Sequence, residues 1–96
     1  MKFIQSVASQ TPGLITVYLF GSFAKNTQKQ ESDIDIALVI DNLDDRDKFD
    51  LQVQLMLLAA KFDTRIEPHP FSLQDMLSGN PFALEVKKTG KEIWQK

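Results

Sequence analysis

Hydrophobic positions recur with two periods along this chain. Phe3, Ile4, Val7 and Ala8 fall at helical spacing and predict a short helix over residues 2–10, ended by Pro12-Gly13. The run LITVYLF, residues 14–20, is apolar and rich in β-branched and aromatic side chains, as a buried strand is. A polar interval follows, in which Ser22 can cap a short helix reaching about Gln28. DIDIALVI, residues 33–40, alternates at its start and then turns uniformly apolar, the pattern of a central strand. DNLDD reads as a turn, and Asp44 or Asp45 can cap the long helix that follows, over about residues 46–61. In that helix Phe49, Val53, Met56 and Ala60 form one apolar stripe, which Leu51, Leu55, Leu58 and Phe62 widen. Met56 and Phe62 are expected in the core.

TRIEPHPF predicts a third strand. Pro68 and Pro70 have no N–H to give a ladder, so it belongs at a sheet edge. Ser72 with Asp75 has the form of a capping box, and Gly79 ends the helix it opens. Phe82 to about Lys88 reads as another helix, stopped by Gly90, and KEIW as a last short strand with Trp94 packed inward. The order α-β-α-β-α-β-α-α-β predicts an α+β protein. Its core is a small mixed sheet of three to four strands with helices packed on it, one domain over residues 1–96.

Composition narrows the function. The 96 residues suffice for one compact domain. Eleven Lys and Arg are scattered among thirteen Asp and Glu, for a net charge of -2, which disfavours a long nucleic-acid ligand. The absence of cysteine excludes disulfides and thiolate-held metals. No apolar run approaches the roughly twenty residues of a membrane span, and MKFIQSVASQ lacks a signal-peptide core. A cytoplasmic protein is expected.

The candidate chemistry lies in YLFGSFAKNTQKQESDIDIALVI, residues 18–40. Side chains at i and i+2 of a strand share a face, so Asp33 and Asp35 project together, where they repel unless a cation sits between them. Hard oxygen donors suit Mg²⁺ or Mn²⁺. Gly21 lets the backbone approach a ligand closely, and a helix opening at Ser22 would direct free N–H groups and its positive end at the same spot. If the two strands are antiparallel neighbours, the metal site and the anion site meet at one end of the sheet. A nucleoside triphosphate with its metal matches that pair. Taken singly, D-x-D is most often a solvated strand start and G-S merely a turn.

Together, G-S-x10-D-x-D between two apolar strands resembles the signature of the DNA polymerase β nucleotidyltransferase superfamily, and most of all its minimal members of about this length. The resemblance implies a polymerase β palm-like fold and two-metal transfer of a nucleoside monophosphate to a hydroxyl. It implies Gly21 and Ser22 on the triphosphate, and Asp33 and Asp35 on the Mg²⁺ ions. Glu67 of RIEP best matches the third carboxylate, with Asp63 as runner-up. The family more often has Asp there. It also commonly continues G-S toward Arg-Gly, where this chain has Lys25-Asn26; Lys25 keeps the charge and is a candidate phosphate contact. His69 and Arg65 share the face of Glu67 by strand parity. His69 could contact substrate or a partner, though a partly exposed histidine between two prolines is the favoured expectation, and Arg65 could pair with a carboxylate or phosphate.

Minimal members lack room for an acceptor-binding domain, so the acceptor is small, lies on a partner, or reaches a site completed by a second subunit. The resemblance extends to antitoxins that add AMP from ATP to a helical HEPN-type toxin. The rival reading is a silent module of the same fold that neutralises its partner by binding alone. A fragment of an antibiotic-modifying enzyme is a weaker third.

Overall fold

The computed structural model describes residues 2–21 and 33–96. In chain order the elements are α1 (Lys2–Gln10), β1 (Leu14–Phe20), β2 (Ile34–Ile40), α2 (Asp45–Ala59), β3 (Ile66–Ser72), α3 (Leu73–Leu77), α4 (Pro81–Thr89) and β4 (Lys91–Gln95). The strands form a mixed sheet in the order β3-β2-β1-β4. β1 runs antiparallel to both β2 and β4, whereas β2 and β3 are parallel, joined across α2. The α+β prediction with a small mixed sheet holds. The expected short helix from Ser22 lies outside the described residues.

β2 explains its own sequence. Ile34, Ile36, Leu38 and Ile40 point to one face, into a cluster with Phe3, Ile4 and Val7 of α1 and Leu55 and Ala59 of α2. Ala37 and Val39 point to the other, into a second cluster with Met76, Ala83 and Val86 of α3 and α4. Among the described residues, α3 and α4 cover the later half of that second face. Asp35 takes the place before Ala37 on that face, outside the cluster that α3 and α4 form with Ala37 and Val39, and so the strand begins acidic and ends apolar.

β3 is the edge strand that its prolines require. All seven of its residues are in register with β2, from Ile34 opposite Ile66 to Ile40 opposite Ser72. An edge strand has one partner, so two residues without N–H need cost the ladder nothing. The outer side is not bare, because Gln52 Nε2 donates to the Pro68 carbonyl at 3.4 Å. The capping box also forms: Ser72 Oγ accepts from the Asp75 N–H at 3.0 Å, and the Ser72 N–H donates to Asp75 Oδ2 at 2.9 Å. Lys48 of α2 pairs with Asp75 as well as with Asp45, tying α2 to α3 around the edge of β3.

Two expectations for α2 fail. Asp44 stands at the N-cap but its side chain makes no capping bond. The stripe Phe49, Val53, Met56 and Ala60 is exposed, with Met56 at 49% and Phe49 at 64%, while Leu55 and Ala59 are buried. A helix turns about 100° per residue. By that rotation Leu51, Leu55 and Leu58 do not widen the first stripe but lie on the opposite side. The helix thus carries two apolar faces, and the sheet takes the one that holds Leu55. Phe62 is likewise 42% exposed, although its ring meets Phe3 edge-on at 6.3 Å. Trp94 packs against the first cluster as expected.

Candidate active site

The β2–β3 register assembles the carboxylates. Asp35 and Glu67 are direct partners in the parallel pair, so both project from the same open end of the sheet face. Asp33 immediately precedes β2, and its side chain comes near enough to Glu67 for the two carboxyls to share a proton. Partial burial pushes the Glu67 carboxyl above its ordinary value, and the charges of Asp33 and Asp35 and the bond with Asp33 push it further. His69 opposes this only partly. A site that disfavours its own negative charge in this way is complementary to a cation.

Gly21 closes the site from the β1 side. Phe20 is the register partner of Asp35, so the residue after it stands beside that carboxylate. Gly21 has φ 77°, and a Cβ built on it would lie 2.5 Å from Asp35 Oδ2. Only glycine fits on both counts. The sequence expectation that G-S and D-x-D meet at one end of the sheet is met at Gly21, while Ser22 and Lys25 lie outside the described residues.

His69 is partly exposed, as expected, and stands beside the carboxylates. Its Nε2 is 3.2 Å from Asp35 Oδ1. It pairs with Ala37 across β2–β3, and this methyl-sized neighbour leaves room for the imidazole to lean toward Asp35. Phe20 meets the ring edge-on at 5.4 Å and Phe82 stacks on it at 6.0 Å. The signal was present in the sequence, since His69 follows Glu67 by two. Without the register nothing tied that face to Asp35. Beyond His69 a groove of about 400 Å³ runs along β3, lined among others by Lys48, Gln52, Phe71, Asp75 and Phe82.

Asp63, the alternative third carboxylate, is occupied elsewhere. It lies before β3 and accepts two bonds from the Arg65 side chain, at 3.1 and 2.8 Å, and one from the Arg65 N–H at 2.9 Å. Arg65 holds its carboxyl down to about 2. The described residues therefore bring together Asp33, Asp35, Glu67, His69 and Gly21, while Asp63 pairs with Arg65.

One donor atom each from Asp35, Glu67 and His69 lies within 4.8 Å of the others. Together with Asp33, and with the space kept by Gly21, this is a donor set that a hard divalent cation fits.

An α+β sheet with this carboxylate cluster beside a left-handed glycine defines a nucleotidyl-transfer scaffold, and the chain belongs to the Polymerase beta, Nucleotidyltransferase family, which matches residues 2–96. It is 34% identical over 95 residues to the protein adenylyltransferase MntA of Shewanella oneidensis, covering 97% of this chain and 63% of that protein. The chain thus spans less than two thirds of the length of this curated relative. A crystal structure of a toxin–antitoxin pair with AMP-PNP is similar at TM-score 0.70 and 30% identity, covering 99% of this chain and 72% of that one. The structure of a tri-AMPylated Shewanella oneidensis HEPN toxin with its MNT antitoxin is similar at TM-score 0.63 and 27% identity, covering 99% and 68%. No helix among the described residues is long and apolar enough to cross a membrane.

Proposed function

We propose that this protein transfers AMP from ATP to a hydroxyl on a HEPN-type partner protein, as a cytoplasmic antitoxin. The observation that carries this reading is the register of Asp35 with Glu67 beside Gly21, which sets paired carboxylates next to backbone that a phosphate can approach. The adenylyltransferase activity of the relative, and the AMP-PNP and AMPylated toxin of the similar complexes, support the donor and the partner.

In this reading Asp33, Asp35 and Glu67 hold divalent cations, two Mg²⁺ or Mn²⁺ in the form the family resemblance implies. Bound there, such a cation supplies Lewis acidity, neutralising phosphoryl oxygens and acidifying the acceptor hydroxyl. The chain's own part is placement. Gly21 keeps a side chain out of the space beside Asp35, which leaves room for a triphosphate there, and Ser22 and Lys25 are its proposed further contacts. Burial and the neighbouring carboxylates raise the Glu67 carboxyl, and a cation held there would offset both. Before a cation binds, the contact between His69 Nε2 and Asp35 Oδ1 holds that carboxylate in place.

The test is incubation of the purified protein with a HEPN-type partner, ATP and Mg²⁺ or Mn²⁺, followed by intact mass measurement of the partner. Mass increases in steps of AMP are expected. An unmodified partner, with ATP and metal shown to be bound, would overturn the activity and leave a neutralising module of the same fold.

A further inference from the structure

We propose that His69 is a nitrogen ligand of the cation, so that the site prefers a first-row transition dication such as Mn²⁺ over Mg²⁺. This rests on the reading of the cluster as a cation site and adds a donor to it.

The spacing suits direct ligation. Adjacent donors of a six-coordinate cation with bonds of about 2.1 Å stand about 3 Å apart, and opposite donors about 4.2 Å. The His69 Nε2 to Asp35 Oδ1 distance is 3.2 Å, and the donor atoms of Asp35, Glu67 and His69 all fall within 4.8 Å of one another. Small side-chain adjustments close that set onto one ion.

The ring is also aimed. Glu67 and His69 share a face of β3, and Ala37 beneath His69 has no side chain past Cβ to block it. Phe20 and Phe82 contact the imidazole on two sides, which limits its rotamers before any ion arrives.

Chemistry then sets the preference. Carboxylate oxygens serve Mg²⁺ and Mn²⁺ alike, but Mg²⁺ takes oxygen donors and gives up water reluctantly. Imidazole nitrogen is a ligand for first-row transition dications, most weakly for Mn²⁺ among them, whereas Mg²⁺ keeps to oxygen. Replacing one water by His69 Nε2 therefore strengthens Mn²⁺ binding and does little for Mg²⁺.

The experiment titrates the untagged full chain with Mn²⁺, following the free-ion electron paramagnetic resonance signal, and competes the bound ion with Mg²⁺. Pulsed resonance on the bound ion then looks for ¹⁴N coupling. His69 is the chain's one histidine, so an imidazole signal has one source. Expected are clear imidazole ¹⁴N coupling in the wild type, its loss in His69→Gln, and a ~10-fold or greater loss of Mn²⁺ affinity there with a much smaller change for Mg²⁺. Bound Mn²⁺ without imidazole coupling overturns the proposal and leaves His69 as a positioning residue for Asp35. Equal loss of both metals in a folded His69→Gln overturns the preference. No Mn²⁺ binding at all removes the cation reading itself. The wild-type coupling decides the ligation even if the variant fails to fold.

Discussion

Gly21 and Asp35 stand so close across the β1–β2 pair that a Cβ on Gly21 would lie 2.5 Å from Asp35 Oδ2. The glycine also holds φ 77°. Gly21→Ala therefore meets two penalties: left-handed backbone strain of about 1–2 kcal/mol, and displacement of the carboxylate. A lowered denaturation midpoint and weakened cation binding are expected together. Unchanged cation affinity would mean that Asp35 is not needed where it stands.

Asp35 is half-buried near the start of β2 and belongs to neither apolar cluster. Asp35→Asn preserves volume and should leave thermal stability within about 0.5 kcal/mol. On the proposed function, AMP transfer should fall ~100-fold or more, because the several kcal/mol that a held cation would supply is lost with its ligand. Quantitative mass spectrometry of the partner, beside a thermal melt, checks both halves. Near-normal transfer rates would remove Asp35 from the mechanism.

Glu67 gives a pH signature. Its folded-state value is raised above the ordinary 4.5, by burial and then by Asp33 and Asp35. In that window the native state holds more protons than the unfolded chain, so the cation-free protein loses stability as pH rises from below 4.5 through the raised value. Glu67→Gln stays neutral and escapes this loss. Denaturant melts without metal should show the variant gaining on the wild type as pH climbs through that window, then a constant gap. Added Mn²⁺ should stabilise the wild type and not the variant. A gap independent of pH contradicts the account.

The two faces of α2 predict contrasting substitutions. Leu55 is 4% exposed and sits in the core, so Leu55→Ala should cost about 2–5 kcal/mol. Met56 is 49% exposed, and Met56→Ala should stay within about 0.5 kcal/mol. Chemical denaturation of the pair separates them; similar costs would mean that both faces are covered in solution.

Ser72 is the hinge between β3 and α3. Its hydroxyl accepts from the Asp75 N–H while its own N–H is held by the Asp75 carboxylate. Ser72→Ala should cost about 1 kcal/mol, and Ser72→Thr much less. Denaturation midpoints of both variants check the role. An alanine variant as stable as the wild type would show that the cap adds nothing.

Much of this molecule is legible in one dimension because its signals are local. The β-branched runs of β1 and β2, the prolines of an edge strand, and Ser72 with Asp75 at a helix start each act over a few residues. So do Gly21 and the Asp33-x-Asp35 spacing, which fixes a shared face whatever the strand pairs with. Glu67 was reached through family resemblance, because its nearness to Asp35 depends on a pairing 32 positions away that no local rule specifies. His69 came with it only once the parallel register set it over Ala37. The same limit governs α2, where the sequence offers two apolar faces. Which one is buried follows from how the sheet, α1 and the crossover meet. Periodicity marks a residue's direction about its own axis; only the packed structure decides what lies in that direction.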